Sequence, residues 1–595
     1  MKALLIAPLL VPLLLSEAIA AGSLANKIQE IQTHLTETAD GQAAPATDAG
    51  DTGGTPAETA DDAPPQDDAS PAQDNAPPQD DASPAQDDAA ADDDATPAAD
   101  PVPAMSVEDL IREGDEIRAD AWYEEDYQEA ASLYQQAADM GSAEAMWRLG
   151  LMHESGEGFE SSDAEAVNWY QRAADGGSTT GMTYLADMLR NGYGVAEDDV
   201  AAVGWYQKAA DLGNAEAARK LGLMYDAGEG VALDDFKAAL LFRQASDGGD
   251  MLATRFLAEM YHDGEGLAQD YVQAASLYLK ASEMGDEIAT RWLGDMYYLG
   301  QGVAQDYRRA AQYFETAADA GDAVSMRWLG EMYDAGEGVD EDDVRAVSYF
   351  RSAVEAGDTI AARDLGIMLE FGLGAEQDYA EALKNYQIAV DDGDAVALRR
   401  LGLMYDLAKG VDEDNPRAIE LYKQAREGGD IIATSILGQM YEDGEGVTAD
   451  LLQAAVYYRE AAQAEDTDGM RRLGILQFEG RGLAKDPEEA VQWFLKAADK
   501  GDLESHWWLA VAYLYGDGVS EDAVLAADYA YYAIVGGHQY ALDSLINIGE
   551  YNTSRGFRAR LQENMQADGF YEGKIDASFG PKTREALNAA FASAQ

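Results

Sequence analysis

Small and apolar side chains return along this chain with a fixed period of 36 residues. The marker is a Leu-Gly step, followed sixteen residues later by alanine, then usually by an aromatic residue and by a second alanine. The glycine of this step lies at Gly150, Gly222, Gly294, Gly330, Gly366, Gly402, Gly438 and Gly474, and alanine replaces it at Ala186, Ala258 and Ala510. Such a period predicts stacked copies of one supersecondary unit, each too small to bury its apolar face alone.

Each copy has the pattern of two helices. In the third copy, residues 217–225 form the first predicted helix, Gly228-Glu229-Gly230 ends it, and residues 234–247 form the second. The second helix places its alanine and aromatic positions on one face, and Gly249 lies where a left-handed C-cap is expected. The recurrent glycine and alanine positions allow close approach of neighbouring helices. We therefore expect an all-α solenoid of about twelve helix-turn-helix repeats over residues 106–548.

The residues also carry a family resemblance. The pattern A-x-x-x-L-G-x-M-Y-x-x-G-x-G-V, followed by A-x-x-x-Y-x-x-A-A-x-x-G-D, resembles the Sel-one-like repeat family, whose members are relatives of the tetratricopeptide repeat. This resemblance implies an α-solenoid that scaffolds protein complexes or binds peptides on its concave face. The first copy departs from the pattern at Glu113-Gly114 and the last fades at Leu545-Ile546, so we interpret both ends as caps.

The N-terminal residues predict export. Lys2 precedes an apolar run over residues 3–15, and Ala18-Ile19-Ala20 matches the cleavage pattern of a secretory signal peptide, which we assign to residues 1–21. The apolar run is shorter than the ~20 residues that span a bilayer. We expect a periplasmic protein that does not span the membrane, with secretion as the alternative.

Two segments separate this signal from the repeats. In residues 22–35 the apolar side chains fall at Leu24, Ile28, Ile31 and Leu35, which predicts a short amphipathic helix that is either a leader or an oligomerisation stub. Residues 36–105 contain no Lys, Arg or aromatic side chain and repeat the segment PPQDDASPAQD. This composition predicts a disordered acidic linker that serves as a tether.

Composition and motifs exclude several classes of function. The formal charge of -71 argues against nucleic acid, whose phosphates need clustered Lys and Arg. Cysteine is absent, which excludes disulfides and thiolate chemistry. The five histidines are scattered, and no H-E-x-x-H or G-x-S-x-G motif occurs. We therefore expect no enzyme activity, no metal site and no cofactor.

A second resemblance covers the C-terminal residues 552–595. They are similar to the small three-helix peptidoglycan-binding domain, although Ala577 replaces a glycine that this family usually has in I-D-G-x-F-G. The residues that carry the resemblance are Leu561, Gly569, Phe570, Tyr571, Gly573, Ile575, Asp576, Phe579, Gly580 and Thr583. The segment is close to neutral, which suits contact with an anionic cell wall. Peptidoglycan binding and simple capping of the solenoid both remain open.

A polar pattern offers a candidate binding groove. Three residues before the marker glycine, arginine recurs at Arg219, Arg255, Arg291, Arg327, Arg363, Arg399 and Arg471, interrupted by Ser435. We call this set the arginine ladder. If the register resembles that of the tetratricopeptide repeat, the ladder faces the concave groove, where arginine can capture carboxylates in a bidentate manner.

The ladder arginines fall into two groups according to the type of residue four positions later. It is acidic in three copies, Arg255–Glu259, Arg291–Asp295 and Arg327–Glu331, where structural i, i+4 pairs are expected. In the others it is aliphatic, and the candidate groove residues are Arg219, Arg363, Arg399 and Arg471 with Leu223, Ile367, Leu403 and Ile475. We expect the stretch 363–471 to bind an acidic-apolar peptide beside exposed aliphatic surface, with purely structural pairing as the alternative.

Together these observations predict an exported adaptor. The solenoid groove would hold a protein or peptide partner, and the C-terminal domain would associate with peptidoglycan. The alternatives are a secreted factor that binds an external or host protein, and an accessory activator of a cell-wall hydrolase or of polysaccharide export machinery.

Overall fold

The computed structural model describes residues 105–548 and 553–594. The predicted signal peptide, the amphipathic helix at 22–35 and residues 36–104 of the linker lie outside the described residues. The described residues form 27 α-helices and no strand. The all-α fold with about twelve helix-turn-helix repeats is confirmed.

The helices are α1 Val107–Ala119, α2 Glu124–Asp139, α3 Ala143–Ser155, α4 Asp163–Asp175, α5 Thr179–Asn191, α6 Asp199–Asp211, α7 Ala215–Ala227, α8 Asp235–Asp247, α9 Met251–Asp263, α10 Tyr271–Glu283, α11 Glu287–Leu299, α12 Tyr307–Asp319, α13 Ala323–Ala335, α14 Asp343–Glu355, α15 Thr359–Phe371, α16 Tyr379–Asp391, α17 Ala395–Asp406, α18 Asn415–Glu427, α19 Ile431–Asp443, α20 Leu451–Gln463, α21 Thr467–Glu479, α22 Pro487–Asp499, α23 Leu503–Tyr515, α24 Ala523–Val535, α25 Gln539–Ile548, α26 Arg555–Ala567 and α27 Pro581–Ala592.

The chain divides into two compact units, one ending at Trp205 and the other beginning at Tyr206. In the first unit, α1 packs against α2 and α3 against α4 as hairpins. In the second unit the hairpins run from α7 with α8 to α23 with α24, and the second helix of each hairpin also packs against the first helix of the next. Each repeat therefore completes its core with its neighbour.

The marker glycine lies directly under the aromatic ring of the second helix. A Cβ atom placed on Gly294 would lie 2.7 Å from the ring of Phe314, and one on Gly402 would lie 2.7 Å from Tyr422. Phe314 and Tyr422 are fully buried. The close approach of helices predicted from the small positions is confirmed. The position needs glycine because the aromatic ring occupies the space in which a Cβ atom would lie.

Glycine also follows most first helices at the point where the backbone turns left-handed. Gly300 follows α11 with φ 71°, and a side chain on the nearby Gly302 would overlap the Tyr271 carbonyl of the preceding repeat. The Gly-x-Gly loops are thus contacts between repeats. Ala408, with φ 53°, replaces this glycine after α17, and Glu465, with φ 66°, replaces the glycine that follows the second helix in other copies.

The C-terminal segment packs onto the last hairpin of the second unit. Trp507 of α23, Tyr531 of α24, Phe557 of α26 and Leu587 of α27 belong to one buried cluster. Residues 553–594 contain two helices joined by an irregular segment, where the sequence predicted a three-helix domain.

Polar contacts surround this shared cluster. The Tyr531 hydroxyl donates to Asp568 Oδ2 over 2.7 Å, and Arg560 Nε donates to Asp528 Oδ1 over 2.7 Å. The Asn564 side chain donates to the same Asp528 oxygen. Apolar and polar contacts together therefore make the segment an end cover for α23 and α24.

Across residues 105–548 and 553–594, every helix is too short or too polar to cross a lipid bilayer.

Candidate partner-binding site

The ladder arginines form ion pairs between consecutive repeats. Arg255 Nε donates to Asp286 Oδ2 over 3.0 Å, while Asp286 Oδ1 accepts from the backbone N–H of Ala289 and so caps α11. Arg399 and Asp430 make the same contact at 2.8 Å, with both side chains 5% exposed. The equivalent pairs are Arg219–Asp250, Arg291–Asp322, Arg327–Asp358, Arg363–Asp394 and Arg471–Asp502. Each arginine thus ties its own first helix to the N-terminus of the next first helix.

Ser435 preserves this contact where it interrupts the ladder. Its hydroxyl donates to Asp466 Oδ2, and the same oxygen accepts from the backbone N–H of Gly469. The aspartate that follows the ladder residue by 31 positions is therefore the constant partner in the second unit. This aspartate is part of the repeat pattern, but the sequence alone did not connect it with the arginines.

Two of the three predicted i, i+4 pairs form. Arg255 reaches Glu259 at 2.6 Å, and Arg327 reaches Glu331 at 2.7 Å. In the third, Arg291 Nε lies 3.6 Å from Asp322 Oδ2, and Asp295 Oδ1 is buried without a hydrogen-bond donor among the described residues. Arg255 and Arg327 therefore each contact two carboxylates, and Asp295 is left incompletely paired.

The prediction of exposed aliphatic surface over residues 363–471 is wrong at α17. Arg399 and Leu403 are each only 4% exposed, because α17 is buried along nearly its whole length. Arg471 is also buried, whereas Arg219 and Arg363 are half-buried, as are Leu223, Ile367 and Ile475. The half-buried first helices are therefore more accessible to a partner than α17.

Three consecutive first helices carry a ring directly after the ladder arginine. Phe256, Trp292 and Trp328 are half-buried. Trp292 stacks on Tyr278 at a centroid distance of 6.1 Å, and Trp328 stacks on Phe314 at 5.7 Å. These rings were not predicted as site residues, although their signal is visible as TRFLAEMY, TRWLGDMY and MRWLGEMY at residues 254–261, 290–297 and 326–333.

We call this surface the α9–α13 face, and it comprises Arg255, Phe256, Glu259, Arg291, Trp292, Asp295, Arg327, Trp328 and Glu331. Burial raises the pKa of Asp295 to about 7, although Arg291 and Arg327 oppose the shift. Burial likewise raises the pKa of Glu259 above its ordinary value. Both shifts indicate that the arginines do not fully compensate the carboxylates of this face.

The residues of the peptidoglycan-binding resemblance meet around Gln562. Its side-chain N–H groups donate to Asp576, Ser578 and Thr583, and its oxygen accepts from the backbone of residues 576 and 577. Leu561, Tyr571, Phe579 and Thr583 are buried around this network; Phe570, Gly573, Ile575 and Gly580 are half-buried; Gly569 and Asp576 are exposed. Four of the ten motif residues therefore build the interior of the segment, and four more are partly covered by it.

No set of three or more potential metal ligands comes together in the part of the chain that the structure describes. His262 Nδ1 donates to Asp263 Oδ1, and the ring lies among Tyr271, Tyr278 and Trp292, so its neighbours are mainly aromatic. These contacts give His262 a packing role.

One solved structure with a TM-score above 0.5 supports the fold. The chain is similar to c5321, a protective antigen present in uropathogenic Escherichia coli strains, with 29% identity and a TM-score of 0.67 over 77% of this chain and 97% of that one. It is also similar to a Sel1 repeat protein from Oxalobacter formigenes, with 29% identity and a TM-score of 0.44 over 52% of this chain and 90% of that one. A search of curated proteins finds no match.

A family model extends the comparison to the sequence of each repeat. The Sel1 repeat model matches twelve segments of the chain, 120–142, 143–178, 179–214, 215–250, 252–286, 288–322, 323–358, 359–394, 395–430, 432–466, 467–502 and 503–538. These segments follow the hairpins of both units and cover well over half of the sequence. The chain therefore belongs to the Sel1 repeat family.

Proposed function

We propose that this protein is an exported interaction scaffold that holds a segment of a partner protein on the α9–α13 face and associates with peptidoglycan through its C-terminal segment. Proteins of the Sel1 repeat family generally act as protein–protein interaction scaffolds, and this fold is typically non-enzymatic. The observation that carries the proposal is the row of half-buried rings on α9, α11 and α13. Aromatic side chains that stay partly exposed beside charged groups are typical of protein interfaces.

A matched pair of variants tests the role of this face. The double variant W292A/W328A removes two of its rings, and W508A removes a tryptophan from the same slot of a distant repeat, where it stacks on Phe494 at 5.9 Å. We expect affinity-purified partners, quantified by mass spectrometry, to be lost with W292A/W328A and kept with W508A. Equal recovery with both variants, at matched circular dichroism, would contradict the proposal.

Export is supported by the signal-like residues 1–21. We expect the protein in the periplasmic fraction, with its N-terminus close to Ala20 when the purified protein is analysed by mass spectrometry. An intact Met1 on protein purified from the cytosol would contradict export, and accumulation in the medium would favour secretion.

Association with the cell wall is supported by the C-terminal resemblance and by the exposed lysines of that segment, Lys574 and Lys582. Because the segment shares a core with α23 and α24, the full chain is the correct sample for sedimentation with purified peptidoglycan. We expect K574E/K582E to leave the pellet at lower salt than the wild type. The control K384E/R417E makes the same charge change at exposed positions of the repeats. Equal retention of both variants would contradict wall binding by this segment.

A further inference from the structure

We infer that the partner segment is basic, so that the α9–α13 face binds lysine or arginine side chains of an extended polypeptide. This inference rests on the proposed function and names the chemistry of its partner. It reverses the charge preference expected from the arginine ladder alone.

The reversal follows from the contacts of the arginines. Arg255, Arg291 and Arg327 each lie against the capping aspartate of the next repeat. The face and its caps thus combine three arginines with six carboxylates, which are Glu259, Asp286, Asp295, Asp322, Glu331 and Asp358. Even with Asp295 protonated, five carboxylates stand against three arginines, so the face is net negative and a basic segment complements it.

The arginines are also held in place. Arg255 Nε and Arg327 Nε donate to aspartates whose other interaction caps a helix, so turning either guanidinium towards a ligand would break a contact between repeats. Their Nη1 groups donate to Glu259 and Glu331. These side chains are committed to the fold and offer little to an acidic ligand.

Two carboxylates of the face, in contrast, can still interact with a further positive charge. The side chain of Glu259 is 29% exposed, which makes it the most accessible acid among the salt-bridged pairs of this face. Asp295 Oδ1 accepts no hydrogen bond from the described residues. Because this oxygen is buried, a partner ammonium group bound at the surface above it would act through its electric field and favour the ionised form of Asp295.

The rings suit the stem of such a side chain. Arg291 and Arg327 lie over Trp292 and Trp328, with guanidinium-to-centroid distances of 5.4 and 5.6 Å, so the ring edges are what a partner meets. The methylene groups of lysine or arginine pack against apolar edges while the charged end reaches an acid. Ile288, which is 40% exposed at the start of α11, extends this apolar rim.

The charge of the whole chain acts in the same direction. At -71, the protein attracts basic segments from a distance and repels acidic ones. This long-range attraction is not specific to one face, so the experiment must separate local from general electrostatics.

Two labelled twelve-residue peptides serve as probes, one alternating lysine with serine and the other alternating glutamate with serine, each carrying a photo-crosslinker. The full chain is titrated at physiological salt. We expect the lysine peptide to bind and to crosslink within residues 251–335. The triple variant E259Q/D295N/E331Q should weaken this binding by about tenfold.

The control variant E283Q/E315Q/E355Q removes the same charge from exposed positions on the second helices of the same three repeats. We expect it to weaken binding by about twofold or less, because distant surface charges are screened. Should the triple variant lose its helical signal, E259Q alone gives the same comparison, since Glu259 is partly exposed.

Three results would overturn the inference. Equal weakening by both triple variants would show that general charge alone attracts the lysine peptide. Tighter binding of the glutamate peptide within residues 251–335 would refute the basic preference but leave the proposed function standing. Crosslinks of both peptides only outside this range would refute both proposals.

Discussion

Individual residues carry strain at three places where the backbone is left-handed without glycine. Ala408, Glu465 and Ala577 have φ values of 53°, 66° and 59°. Side chains with a Cβ atom disfavour this region by about 1–2 kcal/mol. Each of these positions occupies a slot that other copies of the repeat, or the family that the C-terminal segment resembles, fill with glycine.

The substitution Glu465→Gly should stabilise the protein by about 0.5–1 kcal/mol, since it relieves the left-handed strain at the cost of a freer unfolded chain. Glu465 also pairs with Lys500 at 2.8 Å, but its side chain is 76% exposed, so this ion pair contributes little. Urea unfolding monitored by circular dichroism measures the change. Gly429→Ala is the control, because Gly429 has φ 91° and open space where a Cβ atom would lie, so it should lose stability for backbone reasons alone.

The pH dependence of the free energy of unfolding should reveal the raised pKa of Asp295. Its folded-state pKa of about 7 exceeds the ordinary value of 3.8, because burial outweighs the nearby Arg291, Arg327 and, from α9, His262, while Asp322 acts with burial. The folded protein therefore keeps a proton that the unfolded chain loses, and the free energy of unfolding falls as pH rises from about 4 to about 7. Asp295→Asn removes this loss.

We accordingly expect Asp295→Asn to raise the melting temperature at pH 8 relative to the wild type, and to raise it less at pH 5. Thermal denaturation at the two pH values measures the difference. An equal shift at both would mean that Asp295 titrates normally.

At the scale of the helix, the pairing of arginine with a capping aspartate explains how consecutive first helices keep their register. The chain shows this dependence internally. Where the ladder slot holds Trp147 or Thr183, the residue 31 positions later is the neutral Ser178 or Asn214. A negative cap thus accompanies a positive ladder residue, with Ser435 and Asp466 as the exception.

Arg399→Ala should destabilise the protein by about 3 kcal/mol, because it leaves Asp430 as a buried charge without its partner. The cap variant Asp430→Ser retains a capping oxygen and removes the charge, so R399A/D430S should recover part of the loss. A double-mutant cycle from urea unfolding gives the coupling energy. If the two substitutions changed the free energy of unfolding additively, the ion pair would not couple these two helices.

Helices and turns were predictable because their causes are local. The Leu-Gly step, the aromatic residue and the glycine caps each act within one hairpin, and their period identified every repeat. The arginine ladder shows the limit of that reasoning. Its slot was identified, but its partner lies in the following repeat, and the burial of Arg399 and Leu403 depends on how α17 packs against its neighbours.

At the scale of the whole molecule, the C-terminal segment ends the second unit by covering an apolar surface. Trp507, Tyr531, Leu542 and Leu545 share their cluster with Phe557 and Leu587. In a repeat array each copy depends on its neighbour, so an uncovered end unfolds first.

A chain that ends at Ile548 should therefore lose hydrogen-exchange protection in α23 and α24 before it loses protection in the middle of the second unit. The polar variant D528N, which weakens the contacts of Asp528 with Arg560 and Asn564, should show the same order more mildly. Unchanged protection in the truncated chain would show that the segment is an independent domain.

That this protein is a Sel1 repeat array could be read from its residues alone, because a period of small, apolar and turn residues acts through contacts inside each hairpin. The same reading found an arginine in a constant slot. The role of that arginine depends on the stacking of the hairpins, because an ion pair forms only with a carboxylate that lies close by, and here that carboxylate belongs to the following repeat. The carboxylates that surround the ladder, and the rings left half-exposed beside them, became a single face only when neighbouring hairpins were packed together.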